Sequence, residues 1–329
     1  MEIKTDPMQI KKTGKSNLWK EIKRNRVAYV YIAPFYILFC IFGLFPIVSG
    51  LAISFTRWDG VGAMKMIGLR NYTDLLTDPL FWQGMYNTLF IGLISHVFIL
   101  FGGLVLAYIL NAKIVRFENI FKTIYFLPMV TSAVAVTIVF QAMFSYNSGL
   151  LNYLITLLGF ERINWLADMG QYLKPAVIIM FSWKWIGWNM VIYLAGMQGI
   201  SLDINEAAIV DGASHTNIFF HITLPLLKPI IFFTMVQSTI GTMNLFTEPF
   251  MLTNNIRGGT GNQALTVMMY LLDKAPYGNV MYGYASAVAY IISIFIIIVS
   301  VINMNTIGRS DEAREQSRMK KLAKRRGEI

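Results

Sequence analysis

The chain has 329 residues, 55% of them hydrophobic and only 14% charged, where an ordinary soluble domain carries about a quarter charged residues. Its mean hydropathy is +0.53 and its formal net charge is +10. No Asp, Glu, Lys or Arg occurs in residues 27–56, 79–112, 123–160 or 275–308, and an uncharged apolar run of about 20 residues spans a bilayer core. Several such runs exceed what a soluble core needs, so the composition excludes a soluble enzyme or binding module and predicts an all-α, polytopic membrane protein.

The first 26 residues are polar and basic. No small-residue cleavage site follows a short apolar stretch, and the apolar run from Val27 is too long for a signal peptide. It is therefore expected to be a retained first transmembrane helix. Six segments are predicted, at roughly 27–56, 84–112, 120–144, 175–200, 228–252 and 282–307. Cys40 lies in the first and is the single cysteine, so no internal disulfide is possible. His96, His215 and His221 lack metal-ligand spacing with nearby Cys or carboxylates, and no metal site is expected. The division that follows is a basic tail over 1–26, a membrane domain over 27–307 and a second basic tail over 308–329.

Basic residues set the orientation of membrane helices. The flanks 1–26, 113–122, 201–228 and 308–329 hold 20 of the 28 Lys and Arg residues. The opposite side holds 7: Arg57, Lys65, Arg70, Arg162, Lys174, Arg257 and Lys274. Both termini are therefore expected in the cytoplasm, and loops 57–83, 145–174 and 253–281 outside. Basic tails could also suggest nucleic acid, but topology and anionic lipid account for them, and no nucleic-acid partner is expected.

The loop over about 201–228, between the fourth and fifth segments, stands out. Leu202–Val210 suits a short amphipathic helix with Ser201 or Asp203 as cap. Gly212 follows it, and glycine accepts positive φ at a helix C-terminus. A second short helix is predicted from about Ala213 to Phe220, ended by Leu224-Pro225, which redirects the chain. Ile209, Ile218, Phe219 and Phe220 are too apolar for a simple solvated connector. The loop either docks on a partner or packs against its own bundle.

Glu206-Ala207-Ala208, then Gly212, nine residues to Ile222, and Leu224-Pro225 resemble the signature of permease subunits of bacterial binding-protein-dependent ABC importers. Asp211-Gly212-Ala213 and Pro229 extend it. Trp183…Gly187, Leu194-Ala195-Gly196-Met197-Gln198, Gly68-Leu69-Arg70-Asn71-Tyr72, Asp78-Pro79-Leu80-Phe81-Trp82 and Asn87-Thr88-Leu89 look like the sugar-importer branch. Phe45-Pro46 and Ser54-Phe55-Thr56-Arg57-Trp58 are similar to the maltose-transporter F-type subunit. The resemblance covers about residues 28–305. The chain departs from it at Gly258-Gly259-Thr260-Gly261, where members often carry Gly-Gly-Pro.

This resemblance implies a coupling helix seated on a cytoplasmic ATPase subunit. Ala207 and Ala208 would keep its face small, Glu206 and Asp211 would make charged contacts, Gly212 would permit the bend, and Leu224-Pro225 would set the angle into the fifth helix. It implies a second permease subunit, two ATPase subunits and an extracytoplasmic binding protein as partners, in a bacterial cell membrane. The chain holds no Gly-x-x-x-x-Gly-Lys-Ser/Thr loop of its own. It is expected to be no enzyme and to bind no cofactor, with ATP and Mg used by the partner ATPase.

A carbohydrate path needs aromatic faces with amides and hydroxyls. The fourth segment offers Trp183, Lys184, Trp185, Trp188 and Asn189, the fifth Gln237, Ser238, Thr242 and Asn244, and the third Gln141. Polar groups in membrane helices face the bundle interior or a cavity, though each could instead hold helices together. Lys184, near mid-depth, could equally pair with a carbonyl or snorkel. Alternative readings are the same importer class with a cargo such as a glycerol phosphodiester, or an ion-gradient-driven secondary transporter, which would want an acidic relay or interrupted helices.

Overall fold

A computed structural model describes residues 22–112, 115–166, 171–278 and 280–325. The chain divides into two compact units, one up to Ala52 and one from Ile53 onward. The first contains α1 (Arg26–Phe39), which passes through a π-helical turn at Cys40–Leu44 into α2 (Phe45–Ser54), whose last two residues belong to the second unit. Charge-free sequence allows the helix to run on, because every backbone bond is made inside the segment.

The second unit opens with the described residues' one sheet, a hairpin of β1 (Thr56–Arg57) and β2 (Lys65–Met66). Helix α3 (Arg70–Leu76) is tied to it by buried Asn71, whose Nδ2 donates to the carbonyls of Ser54 and Thr56, both at 2.8 Å. Asp78 then caps α4 (Pro79–His96), accepting from the Leu80 amide at 2.8 Å, with Pro79 in the first turn where it lacks no needed donor. The other Asp78 oxygen accepts from the Tyr270 hydroxyl at 2.5 Å. Burial, with the Asp78 and Tyr284 contacts, pushes the Tyr270 phenol well above its ordinary value, so it stays a donor.

After a π-helical turn at Val97–Phe101 come α5 (Gly102–Asn111), α6 (Glu118–Val130) and α7 (Ala133–Met143). The segment expected as one helix over 120–144 is thus broken, with a bend of 100° between α6 and α7. Pro128 lies inside the last turn of α6, and Thr131 and Ser132 are extended, so the chain is re-aimed there. Short α8 (Leu150–Leu157) precedes α9 (Leu173–Gln198), the helix around which the second unit is packed. Met180 and Phe181 join one core cluster with Ile91, Ile99 and Phe140, and Met190 and Tyr193 join another with Leu110 and Leu227.

Beyond α9 are α10 (Leu202–Val210), α11 (His215–Ile218), a π-helical turn at Phe219–Thr223, α12 (Leu224–Met243), α13 (Thr247–Thr253), α14 (Val267–Lys274) and α15 (Tyr282–Arg325). Among the described residues five helices are long and apolar enough to cross a membrane, and six if the bent pair counts as one span. The second span begins at Pro79 and the fifth at His215, both earlier than the hydropathy placed them. The expected break at Leu224-Pro225 is absent. Pro225 occupies the first turn of α12, and the preceding π-helical turn carries the chain in without reversal. The second loop helix is shorter than expected, with Ser214 capping it by accepting from the Asn217 amide at 3.3 Å.

Gly187 explains how α9 and α6 lie so close. A Cβ at this position would sit 1.8 Å from the Tyr125 carbonyl oxygen. Backbone cannot yield as a flexible side chain does, and even ordinary overpacking costs about 1–3 kcal/mol. Gly187→Val is expected to lower stability by at least about 2 kcal/mol, seen as a lower thermal unfolding midpoint of the detergent-purified protein. Gly241→Ala, where a Cβ would meet nothing within 4 Å, should shift that midpoint far less.

Candidate functional site: a protruding loop and a polar cavity

Helix α10 spans the residues its sequence predicts. Ser201 Oγ accepts from the Asp203 amide at 3.3 Å, and Asp203 adds a negative charge in the first turn. At the other end the Ala213 amide donates to the Ala208 carbonyl and the Gly212 amide to the Ile209 carbonyl, each at 2.9 Å. This is a Schellman closure, with Gly212 left-handed at φ 78°. A Cβ on Gly212 would meet nothing within 4 Å. Its constraint is therefore conformational, not one of space.

The loop has two faces. Ala208 and Ile218 are buried, and Phe219 packs on the Tyr108 ring at 4.5 Å. On the other side Glu206, Ala207, Asp211 and Gly212 are exposed, with Leu202, Ile209 and Val210, the last 86% exposed. One face anchors the loop and the other is uncovered. Ala208 is thus spent on this chain's own packing and is not presented outward with Ala207. Ile222 and Leu224 are half-buried and Pro225 is exposed, all on the continuous run into α12.

Between α9 and α12 lies a cavity of about 20 Å³ lined by Ile99, Phe181, Trp185, Trp188, Asn189, Thr234, Gln237, Ser238 and Gly241. It holds little more than one water in this conformation. Phe181, Trp185, Trp188 and Asn189 recur at helical spacing and form one stripe of α9. Trp185 Nε1 and Asn189 Oδ1 are buried without a hydrogen-bond partner, a donor and an acceptor that an apolar setting penalises. The Thr234 hydroxyl, which sequence reading passed over, bonds the Tyr193 hydroxyl at 2.7 Å. Thr234 is three residues before Gln237, one turn along the same helix face, and that spacing could have found it.

The remaining path candidates lie elsewhere. Trp183 packs edge-on against Phe140 at 5.3 Å. Gln141 Nε2 donates to the carbonyls of Met251 and Leu252 at 3.2 and 3.4 Å. Thr242 is buried and bonds the Ser238 carbonyl at 3.0 Å, and Asn244 bonds the Ile240 carbonyl at 2.8 Å. These four hold helices or their own backbone and do not line the cavity.

Lys184 neither pairs with a carbonyl nor snorkels. Its Nζ lies 2.7 Å from Glu248 Oε1, with side-chain exposures of 15% and 7%. The partner is 64 residues away. It becomes available because the chain leaves α12 at Met243 and starts a new helix, α13, at Thr247. The pair therefore locks α13 to α9.

With this geometry in place, the known proteins that the chain matches decide its family. A family model described as binding-protein-dependent transport system inner membrane component matches residues 99–307. The chain belongs to this family. It is 36% identical over 290 residues to the lactose transport system permease protein LacF of Rhizobium radiobacter, covering 88% of this chain and 95% of that one. The arabinooligosaccharides transport system permease protein AraP of Bacillus subtilis is 35% identical, with 90% and 93% covered. Among solved structures, a chain of a bacterial ABC transporter involved in the import of the acidic polysaccharide alginate shares the fold, with a TM-score of 0.74 at 24% identity over 89% of this chain and 99% of that one. The matched span of the family model includes the loop, the cavity and the ion pair.

In this permease, removing one member of a buried ion pair leaves an uncompensated charge and costs about 3–5 kcal/mol, whereas replacing both with apolar groups is often neutral or better. Lys184→Met and Glu248→Leu should each lower the thermal midpoint sharply. The double variant should return near the parent value, read by the same thermal unfolding.

Proposed function

We propose that this permease is the membrane-spanning subunit of an ATP-driven importer for a sugar or short oligosaccharide, in the bacterial cell membrane with both termini in the cytoplasm. The observation that carries the cargo reading is the cavity of α9 and α12. Indole faces suit the C–H surface of a sugar ring, while the amides of Asn189 and Gln237 and the hydroxyls of Ser238 and Thr234 suit its hydroxyls. The unpartnered Trp185 N–H and Asn189 carbonyl supply one donor and one acceptor. The saccharides in the names of the relatives support the same cargo over a glycerol phosphodiester. Binding-protein dependence, the family's defining property, supports this reading over an ion-gradient-driven carrier.

The exposed face of α10 is the surface on which energy enters. Glu206, Ala207, Asp211 and the left-handed Gly212 stand on it, flanked by uncovered Leu202, Ile209 and Val210. Uncovered aliphatic side chains beside charged ones make a mixed apolar and polar surface of the kind a protein interface covers. Two ATPase subunits, which bind ATP and Mg themselves, would meet this face and its counterpart on a second permease subunit. An extracytoplasmic binding protein delivers the cargo. Ile222, Leu224 and Pro225 transmit movement, because the chain is helical from His215 through α12 apart from the π-helical adjustment. A rigid connection lets displacement of the loop become displacement of the cavity wall.

Gly212→Val places a β-branched residue at positive φ, a strained conformation. It should leave membrane insertion and ATPase association intact while reducing sugar uptake about tenfold per ATP hydrolysed, the order of effect expected of a strained backbone position. Uptake and hydrolysis measured together in proteoliposomes check this, and unchanged uptake would remove the loop from the coupling path. Affinity purification from the native membrane tests the assembly: a second permease, a Walker-motif ATPase and a binding protein should be recovered.

A further inference from the structure

We infer that Glu248 determines charge selectivity, holding Lys184 neutralised so that the path admits uncharged glycans and rejects anionic ones. This rests on the sugar-import reading above. Lys184 immediately precedes Trp185 and lies one turn before Trp188 on α9, so it borders the stripe that lines the cavity. The cavity lining is itself free of charged side chains, its polar groups being amides, hydroxyls and indoles. A bare lysine ammonium beside that lining would attract carboxylates strongly, because a site excluded from water screens little. Glu248 cancels it at 2.7 Å.

The helix break at Asn244–Phe246 serves the same end, since it brings Glu248 back to α9 at the level of Lys184. The fold alone does not dictate neutrality. The solved alginate importer shares the fold and is involved in the import of an acidic polysaccharide, so the fold leaves selection by charge open to side chains of the path as well as to the binding protein. A pair kept only for packing could be replaced by two apolar residues. What a lysine–glutamate pair adds is that altering either partner changes the charge beside the path, and with opposite sign.

The test uses the assembled importer in lipid nanodiscs with ATP and Mg, so that α9 and α12 can separate, and without its binding protein, so that selection by that protein does not enter. Binding of a neutral disaccharide and of its uronate counterpart is read by tryptophan fluorescence. Glu248→Gln keeps an acceptor for Lys184 and removes the cancelling charge. It should raise the uronate-to-neutral affinity ratio about tenfold, the size expected of a unit charge acting over about 10 Å, and added salt should change that gain little, because a buried charge is screened far less than an exposed one. Lys184→Gln should lower the ratio, and Lys184→Gln with Glu248→Gln should restore the parent value. Either single variant reads the proposal if the other fails to assemble. An unchanged ratio in an assembled single variant, or a double variant that does not restore it, overturns the proposal while leaving sugar import standing. Binding of neither disaccharide to the parent importer overturns the sugar reading and this proposal with it.

Discussion

A charge in the apolar middle of a membrane protein has to be cancelled where it stands. Lys184 is such a charge, and its cancellation by Glu248 organises the centre of this permease. The lysine lies on α9, the helix shared by two of the three core clusters. The glutamate lies on α13, which the chain reaches only after breaking α12 at Asn244–Phe246. Gln141 secures the same short helix from α7 through the carbonyls of Met251 and Leu252. The cavity wall of α9, the broken fifth span and the bent third span are therefore joined at one place.

Around that centre, closeness of helices is set by small residues. Without a hydrophobic drive between helices in lipid, contact depends on backbones approaching each other. Gly187 admits the Tyr125 carbonyl of α6, and Gly103 admits the backbone of α9 near Asn189 and Met190. These contacts fix α9 against α5 and α6, leaving its Trp185–Trp188–Asn189 stripe turned to α12. In this conformation the cavity of about 20 Å³ is closed to any saccharide. Its Trp185 donor and Asn189 acceptor stay unpartnered while α9 and α12 lie this close.

The α10 loop has its own logic. Its N-terminus is capped by Ser201 and its C-terminus closed at Gly212, so it is a rigid element. Ala208, Ile218 and Phe219 fasten it to the bundle, and the opposite face is left uncovered. An element fastened on one side and open on the other can pass a push from a partner to the helix it leads into. Pro225 does not interrupt that transfer, because the chain stays helical across the π-helical turn at Phe219–Thr223 that precedes it.

Local rules were enough for much of this. Charge-free length marked four of the six spans, because a bilayer tolerates neither unpaired charge nor unsatisfied backbone. The limits of α10, its Ser201 cap and the positive φ of Gly212 were legible, since capping and glycine geometry act over a few residues. Trp185, Trp188 and Asn189 were among the path candidates, but Trp183 and Lys184 stood beside them, and only the structure separates the stripe that lines the cavity. Other features lay beyond local pattern. The 100° bend in the third span, the continuity through Leu224-Pro225 and the burial of Ala208 depend on what packs alongside. Glu248 lies 64 residues from Lys184, and nothing near it in sequence pointed to that lysine. Periodicity shows which residues share a helix face. Which face meets which, and whose charge answers a buried lysine 64 residues away, is decided only when the helices assemble, because desolvation makes an unpaired charge costly there and nowhere earlier.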